Sequence, residues 1–196
     1  MNRIVAFTAR AVLTAGDAPD VGFVPPLVRR RLSPLQKIYF ALAESLGASA
    51  VEGAVFASRD GEDSLTRRIV DEFRSDGTVS PHRFSASVYN AAPGLWSIST
   101  KNRAPYTAIA AGEDSIECAI LEALGARTPA LCVYAEETDG GYGAAFILDA
   151  PREGEKRYRV SAGDAERAPV GFADLTAFLK GEKKSLEGRW LTITEI

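Results

Sequence analysis

SASVYNAAPGLWSISTKNRAPYTAIAAGEDSIECAILEAL, residues 85–124, decides how this chain is read. Residues 84–99 are small or apolar with almost no charge, which predicts a helix buried on all sides. Tyr89, Leu95, Trp96 and Ile98 would be its bulky contacts. Pro93-Gly94 conflicts with an uninterrupted helix, because an interior proline removes a hydrogen bond and clashes with the preceding turn. A break is therefore expected near Asn90. Tyr106 to Ala111 reads as a strand, Gly112-Glu113 as a sharp turn, and residues 115–124 as a helix with Ile116, Ala119, Ile120 and Ala123 inward. That order places Glu113 at the positive end of a helix, where unpaired N–H groups favour an ionised carboxylate. An acidic first turn is also how many ordinary helices begin, so Gly112-Glu113-Asp114 says little taken alone.

The flanking sequence extends the alternation. Residues 4–13 have strand character, and a loop at 14–26 rich in Gly, Asp and Pro separates them from a helix that opens at Ser33-Pro34. Leu35, Ile38, Leu42 and Leu46 give that helix an apolar stripe. Residues 51–57 form a short apolar strand, Ser58-Arg59-Asp60-Gly61 a turn, and a second helix carries Leu65, Ile69, Val70 and Phe73 on one face. Strands at 130–135 and 143–149 are joined by Asp139-Gly140-Gly141. The tail adds a strand at 158–161, a helix at 172–179 and a final strand at 190–193. Strands alternating with helices predict an α/β layer sandwich with helices on both faces of the sheet, in one domain spanning residues 1–196.

Composition narrows the function classes. With 196 residues, 46% of them hydrophobic, the chain can build one full core but not two ordinary domains. A net charge of −3 with scattered cations gives no basic field for nucleic acid, apart from the run Arg29-Arg30-Arg31. No apolar run of about 18 residues predicts a membrane span, and the N-terminus lacks the pattern of a signal peptide, so a cytoplasmic protein is expected. Cys118 and Cys132 have neither CxxC spacing nor a histidine cluster. Both are expected to be buried and inert, and neither a metal nor a cofactor is implied. His82, the single histidine, reads as a solvated turn residue.

Several motifs resemble one family. Ser87-Val88-Tyr89-Asn90-Ala91-Ala92-Pro93-Gly94-Leu95-Trp96-Ser97-Ile98, then Asn102-Arg103-Ala104-Pro105, then Ile109-Ala110-Ala111-Gly112-Glu113-Asp114-Ser115 follow the order of the nucleophile region of β-ketoacyl synthases of the thiolase superfamily. The strongest likeness is to short ketosynthase-like proteins that comprise the N-terminal half of that fold only. These accompany ketosynthases in aryl polyene and dialkylresorcinol pathways as chain length factors. Residues 25–33, PPLVRRRLS, resemble their N-terminal element, and Tyr89 stands where their pattern commonly has histidine. The resemblance implies that Glu113 occupies the position of the catalytic cysteine. A carboxylate cannot carry an acyl chain as a thioester to a carbanion as that thiolate does. The histidines that assist condensation belong to the missing half.

The resemblance further implies a non-catalytic subunit that pairs with an active ketosynthase, as a heterodimer or a higher heteromer, in polyketide or fatty-acid-like biosynthesis. Tyr106, Thr107, Ala108, Ile109, Ala110 and Ala111 would lie against the partner. Tyr89, Trp96 and Tyr106 are candidates for the wall that closes the partner's acyl tunnel, although buried aromatics are commonly plain core. Arg29, Arg30 and Arg31 are candidates for contact with an acyl carrier protein through its acidic surface or its phosphate, or else form a solvated loop. Two alternatives stay open: decarboxylation of malonyl-carrier protein supported by Glu113, and a docking scaffold for carrier proteins.

Overall fold

Ser33 fixes where the first long helix begins. Its side chain accepts a hydrogen bond from the Gln36 N–H at 3.0 Å, the Gln36 side chain accepts one from the Ser33 N–H, and Pro34 fills the first helical position. The computed structural model describes residues 2–196. In chain order the elements are β1 (Asn2–Leu13), α1 (Pro26–Arg29), α2 (Pro34–Ser45), β2 (Gly53–Ser58), α3 (Asp63–Asp76), α4 (Pro81–Ala86), α5 (Ala91–Thr100), β3 (Tyr106–Ala110), α6 (Ser115–Gly125), β4 (Ala130–Glu136), β5 (Tyr142–Asp149), β6 (Tyr158–Ala162), α7 (Phe172–Leu179), β7 (Ser185–Glu187) and β8 (Leu191–Glu195).

The strands make one sheet in the order β3-β2-β4-β5-β1-β6-β8-β7. β2 runs parallel to both β3 and β4, and the remaining pairs are antiparallel. Every residue of β2 and β4 is buried, as expected of strands covered on both faces. Alternation along them divides the core. Ala54, Phe56, Leu131 and Val133 share a cluster with α2 and α5, while Val55, Ala57, Cys132 and Tyr134 share the other with α6 and α7. Helices therefore cover both faces, as the alternating sequence implies.

Four expectations need correction. Residues 84–99 break at Asn90, which becomes the N-cap of α5, but the two short helices are not buried on all sides. Only Ala92, Pro93 and Trp96 are inside, while Phe84, Val88, Tyr89 and Ile98 are exposed. Low charge there marks an apolar surface rather than a core. Pro93 sits in the first turn of α5, where its missing N–H would have had no intrahelical partner. On α3 the apolar stripe is also outside: Ile69 alone is buried, and Val70 and Phe73 face solvent. Cys118 is half-buried rather than buried. Trp190 precedes its strand and is exposed. The short elements α1 and β7 add to the expected set.

Candidate functional site

β3 is an edge strand. Its register against β2, from Ala54 opposite Tyr106 to Ser58 opposite Ala110, uses one side of the backbone, and among the described residues no strand pairs on the other. The five residues Tyr-Thr-Ala-Ile-Ala carry no charge, and none is fully buried. Asn102 sets the strand's entry: its Nδ2 donates to the carbonyls of Ser49 (3.0 Å) and Val51 (2.9 Å), and its Oδ1 accepts from the Ala104 N–H (2.6 Å). Lys101 closes α5 in the left-handed region at φ 59°, allowing the chain to reverse.

α5 lies beside the strand. A Cβ placed on Gly94 would meet the Tyr106 hydroxyl at 3.4 Å, so the tyrosine ring lies across the helix. Tyr106 of β3 is 40% exposed, and Ile98, four residues beyond Gly94 on α5, is 75% exposed, so an aromatic on the edge strand and an aliphatic on the helix that packs beside it both face solvent. Tyr89 covers Gly61 so closely that a Cβ there would lie 2.1 Å from its ring, and Gly61 also needs its positive φ of 69°. With Ala108 and Ile109 of β3, Tyr89 helps enclose a cavity of about 10 Å³ above Phe56, Ser58 and Glu62. Trp96 lies elsewhere, 2% exposed and packed on Phe56 with ring centroids 5.5 Å apart. The three aromatics thus do not form one wall in the isolated chain: two are at the surface and one is core.

Glu113 lies in a short 3-10 turn, Gly112–Asp114, that links β3 to α6. Ser115 pins this turn, with its hydroxyl accepting from the Ala111 N–H (2.9 Å) and donating to the Gly112 carbonyl (2.8 Å). The Gly112 N–H reaches across to the Arg59 carbonyl at 3.2 Å. The Glu113 side chain is 70% exposed, with Arg59 at 3.9 Å, itself 56% exposed, so the pair contributes little. Its two acidic neighbours have structural work. Asp114 accepts from the Trp190 indole (3.0 Å) and Arg189 (3.4 Å). Glu117, fully buried, accepts from the N–H groups of Val170, Arg189, Trp190 and Leu191 at 2.7–3.2 Å. No local sequence pattern marks Glu117, because its partners lie more than fifty residues away.

A second buried carboxylate lies under Tyr89. Glu62 is 2% exposed; its Oε1 accepts from Gln36 Nε2 at 2.9 Å, and its Oε2 has no hydrogen-bond partner among the described residues. Burial pushes its pKa up to about 7, against Ser33 and Gln36, which pull it down. Glu136 at the end of β4 is also raised, chiefly by burial, and holds the Arg59 N–H. Burial likewise raises the Cys118 thiol, with Asp114 and Glu117 adding to the effect, so it is a poor nucleophile. No cluster of metal-ligating side chains occurs among the described residues.

The arginine run divides. Arg29 closes α1, whereas Arg30 and Arg31 turn toward Arg68 of α3 and His82 and Arg83 of α4 around a cavity of about 450 Å³. No helix among the described residues is long and apolar enough to cross a membrane.

Comparison with known proteins places this geometry. The family model described as beta-ketoacyl synthase, N-terminal domain, matches residues 7–144. Among solved structures, a chain of the ketosynthase (ApeO) in complex with its chain length factor (ApeC) from Xenorhabdus doucetiae superposes with a TM-score of 0.77 at 18% identity. That alignment covers 98% of this chain and 99% of the other. A beta-ketoacyl synthase from Burkholderia phymatum STM815 superposes with a TM-score of 0.57 at 13% identity, covering 84% of this chain and 55% of that one. This chain therefore corresponds to about half the length of the latter enzyme. No curated protein matches the chain. At these identities the structural likenesses speak for the fold.

Proposed function

The chain belongs to the beta-ketoacyl synthase N-terminal domain family and has a thiolase-like α/β fold, and from that premise we propose that it is a non-catalytic chain length factor pairing with an active ketosynthase. The observation that carries the reading is the unpaired, uncharged edge of β3 with Ile98 and Tyr106 exposed beside it. Such an edge invites strand addition, and apolar side chains next to it are lost from water on pairing. A solved relative of the same fold and nearly the same length occurs in a complex of a ketosynthase with its chain length factor, which supports the pairing.

In this reading Tyr106, Thr107, Ala108, Ile109, Ala110 and Ala111 form the contact with the ketosynthase, and the partner supplies the acyl-carrying thiolate. Glu113 stands at the nucleophile position and takes no part in condensation, because a carboxylate cannot carry an acyl chain as a thioester to a carbanion. Tyr89 and Tyr106 face outward, where a partner's tunnel could end against them. Trp96 acts from behind, holding α5 on Phe56 so that Tyr106 keeps its place over Gly94. In this reading the pair works in cytoplasmic polyketide or fatty-acid-like biosynthesis, whose product is an aryl polyene, a resorcinol or another unsaturated chain.

Native mass spectrometry after co-expression with the ketosynthase encoded nearest to it tests the pairing. A stoichiometric heteromer is expected, with shifted product lengths in the Tyr89→Ala and Tyr106→Ala variants. A stable monomer that never associates and leaves product length unchanged would defeat the proposal.

A further inference from the structure

Tyr89 covers a carboxyl group whose surroundings serve it poorly as an anion. Glu62 is buried, Gln36 donates to one of its oxygens, and the other has no hydrogen-bond partner among the described residues. An ionised carboxylate accepts from several donors in water, and one buried donor does not replace them. The cavity that Glu62 lines has about 10 Å³ of free space, room for one water at most. Tyr39 and Ser58 are its other polar walls, and the Ser58 hydroxyl already holds the Gly61 N–H at 2.7 Å. Among the described residues no cation lines it. Glu137, from the turn after β4, opposes a negative charge on Glu62, and Glu136 acts on the neighbouring Tyr39. Arg59 is turned to Asp60 and Glu113, and Arg67 to Asp63. Arg30, Arg31, Arg68, Arg83 and His82 line a separate hollow beyond Ser33.

The cover is the movable part. Tyr89 belongs to the turn at 87–90 between α4 and α5, and its ring is 52% exposed and seated on Gly61. Gln36 Nε2 also donates to the Ala86 carbonyl at 3.3 Å and Asn90 caps α5, so both ends of the turn are fixed while the ring can rotate about its own side-chain bonds. We propose that Glu62 and Tyr89 form a proton-controlled latch: with Glu62 neutral the ring lies shut on Gly61, and with Glu62 ionised it turns outward and lets water reach the carboxylate. Burial pushes Glu62 up to about 7 in the shut form, against its ordinary value of 4.5 once hydrated. The shut form therefore keeps a proton that the open form releases. Within that interval each pH unit favours opening about tenfold, and above it the balance changes no further. Opening uncovers Ala108 and Ile109, which share the cavity, so the surface beside β3 has one shape in mild acid and another above neutrality. The latch does not rest on the ketosynthase pairing, and the two fail separately.

Nuclear magnetic resonance of the full chain with isotope-labelled tyrosine and glycine tests the latch through cross-relaxation between the Tyr89 ring and the Gly61 α-protons, with Tyr89→Phe assigning the ring signals. The contact is expected at pH 4.5 and at least tenfold weaker at pH 8, with a midpoint between about 4.5 and 7. Glu62→Gln, which cannot ionise, should keep it at both values. His82→Gln should leave the titration in place, which separates it from the single histidine, on α4. Removing the cover in Tyr89→Ala should lower the midpoint of the Glu62 carboxyl carbon itself toward 4.5, a readout that a packing role alone would not move. A ring contact that persists undiminished at pH 8 overturns the proposal. So does its equal loss in Glu62→Gln, or a Glu62 midpoint indifferent to Tyr89→Ala.

Discussion

The sheet ends in two edges of opposite character. At one end β7 is three residues long, and Glu187 on it pairs with Arg167 and bonds the Ser185 hydroxyl, while Lys183 just before it holds Asp174 at 2.6 Å. At the other end β3 offers five uncharged residues, with Ile98 and Tyr106 exposed alongside. Short, charged edges resist pairing with other chains, and long uncharged ones permit it. The difference teaches that edge exposure alone is not a binding signal. One edge is protected by its side chains and the other is left open, so only the second has the uncharged backbone edge that strand addition needs.

The largest expected effect isolates the protected half. Glu117→Ala leaves four backbone N–H groups around residues 170 and 189–191 without their carboxylate. It should destabilise the chain by about 3–5 kcal/mol in denaturant titration, since a buried hydrogen-bonded charge site loses its centre. A loss below about 1 kcal/mol would mean that water replaces the carboxylate and that the β7 end is held by other contacts.

Next in size is the open edge. Ile98→Asp with Tyr106→Asp should weaken ketosynthase association at least a hundredfold, about 2.7 kcal/mol, with little change in the chain's own thermal stability. Unchanged association would move the interface away from β3. A smaller effect is expected at Glu62, which lies under Tyr89 beside the β3 cavity. Folding raises this acid from its ordinary value of 4.5 to about 7, so the folded chain keeps a proton that the unfolded chain releases. Stability from this group is therefore highest below about pH 4.5 and falls as the pH rises to about 7. Glu62→Gln keeps the acceptor for Gln36 and removes the charge, and should stabilise the chain by on the order of 1–3 kcal/mol at pH 8 and hardly at all at pH 4.5. Equal gains at both values would show that the carboxylate is not desolvated. The smallest effect belongs to the β7 edge: Glu187→Ala should leave the thermal unfolding midpoint and partner binding essentially unchanged, because its ion pair is exposed.

How far the sequence could be read depended on how local each determinant is. Ser33-Pro34 announced α2, and Pro93 announced the break at Asn90, because caps and prolines act within a turn. The inward residues Ile116, Ala119, Ile120 and Ala123 of α6 followed from spacing and are all buried. The segment at 84–99 misled because apolar composition does not distinguish a core from an exposed apolar surface. Trp96 and Ile98 lie two residues apart, on opposite sides of α5, and packing against Phe56 makes the Trp96 side the inner one. Glu117, Glu62 and the meeting of Arg31 with Arg68 and Arg83 depend on contacts between distant segments, for which no local pattern exists. The motif around Glu113 gave the family, while the partners of Asp114 came only with the folded chain.

Amide hydrogen exchange at the two edges, with and without the co-expressed ketosynthase, tests the central claim most directly. The account predicts that amides of β3, at Tyr106–Ala110, become strongly protected in the complex while those of β7, at Ser185–Glu187, exchange as before. Unchanged exchange at β3 in a verified complex, or protection appearing at β7 instead, would contradict it.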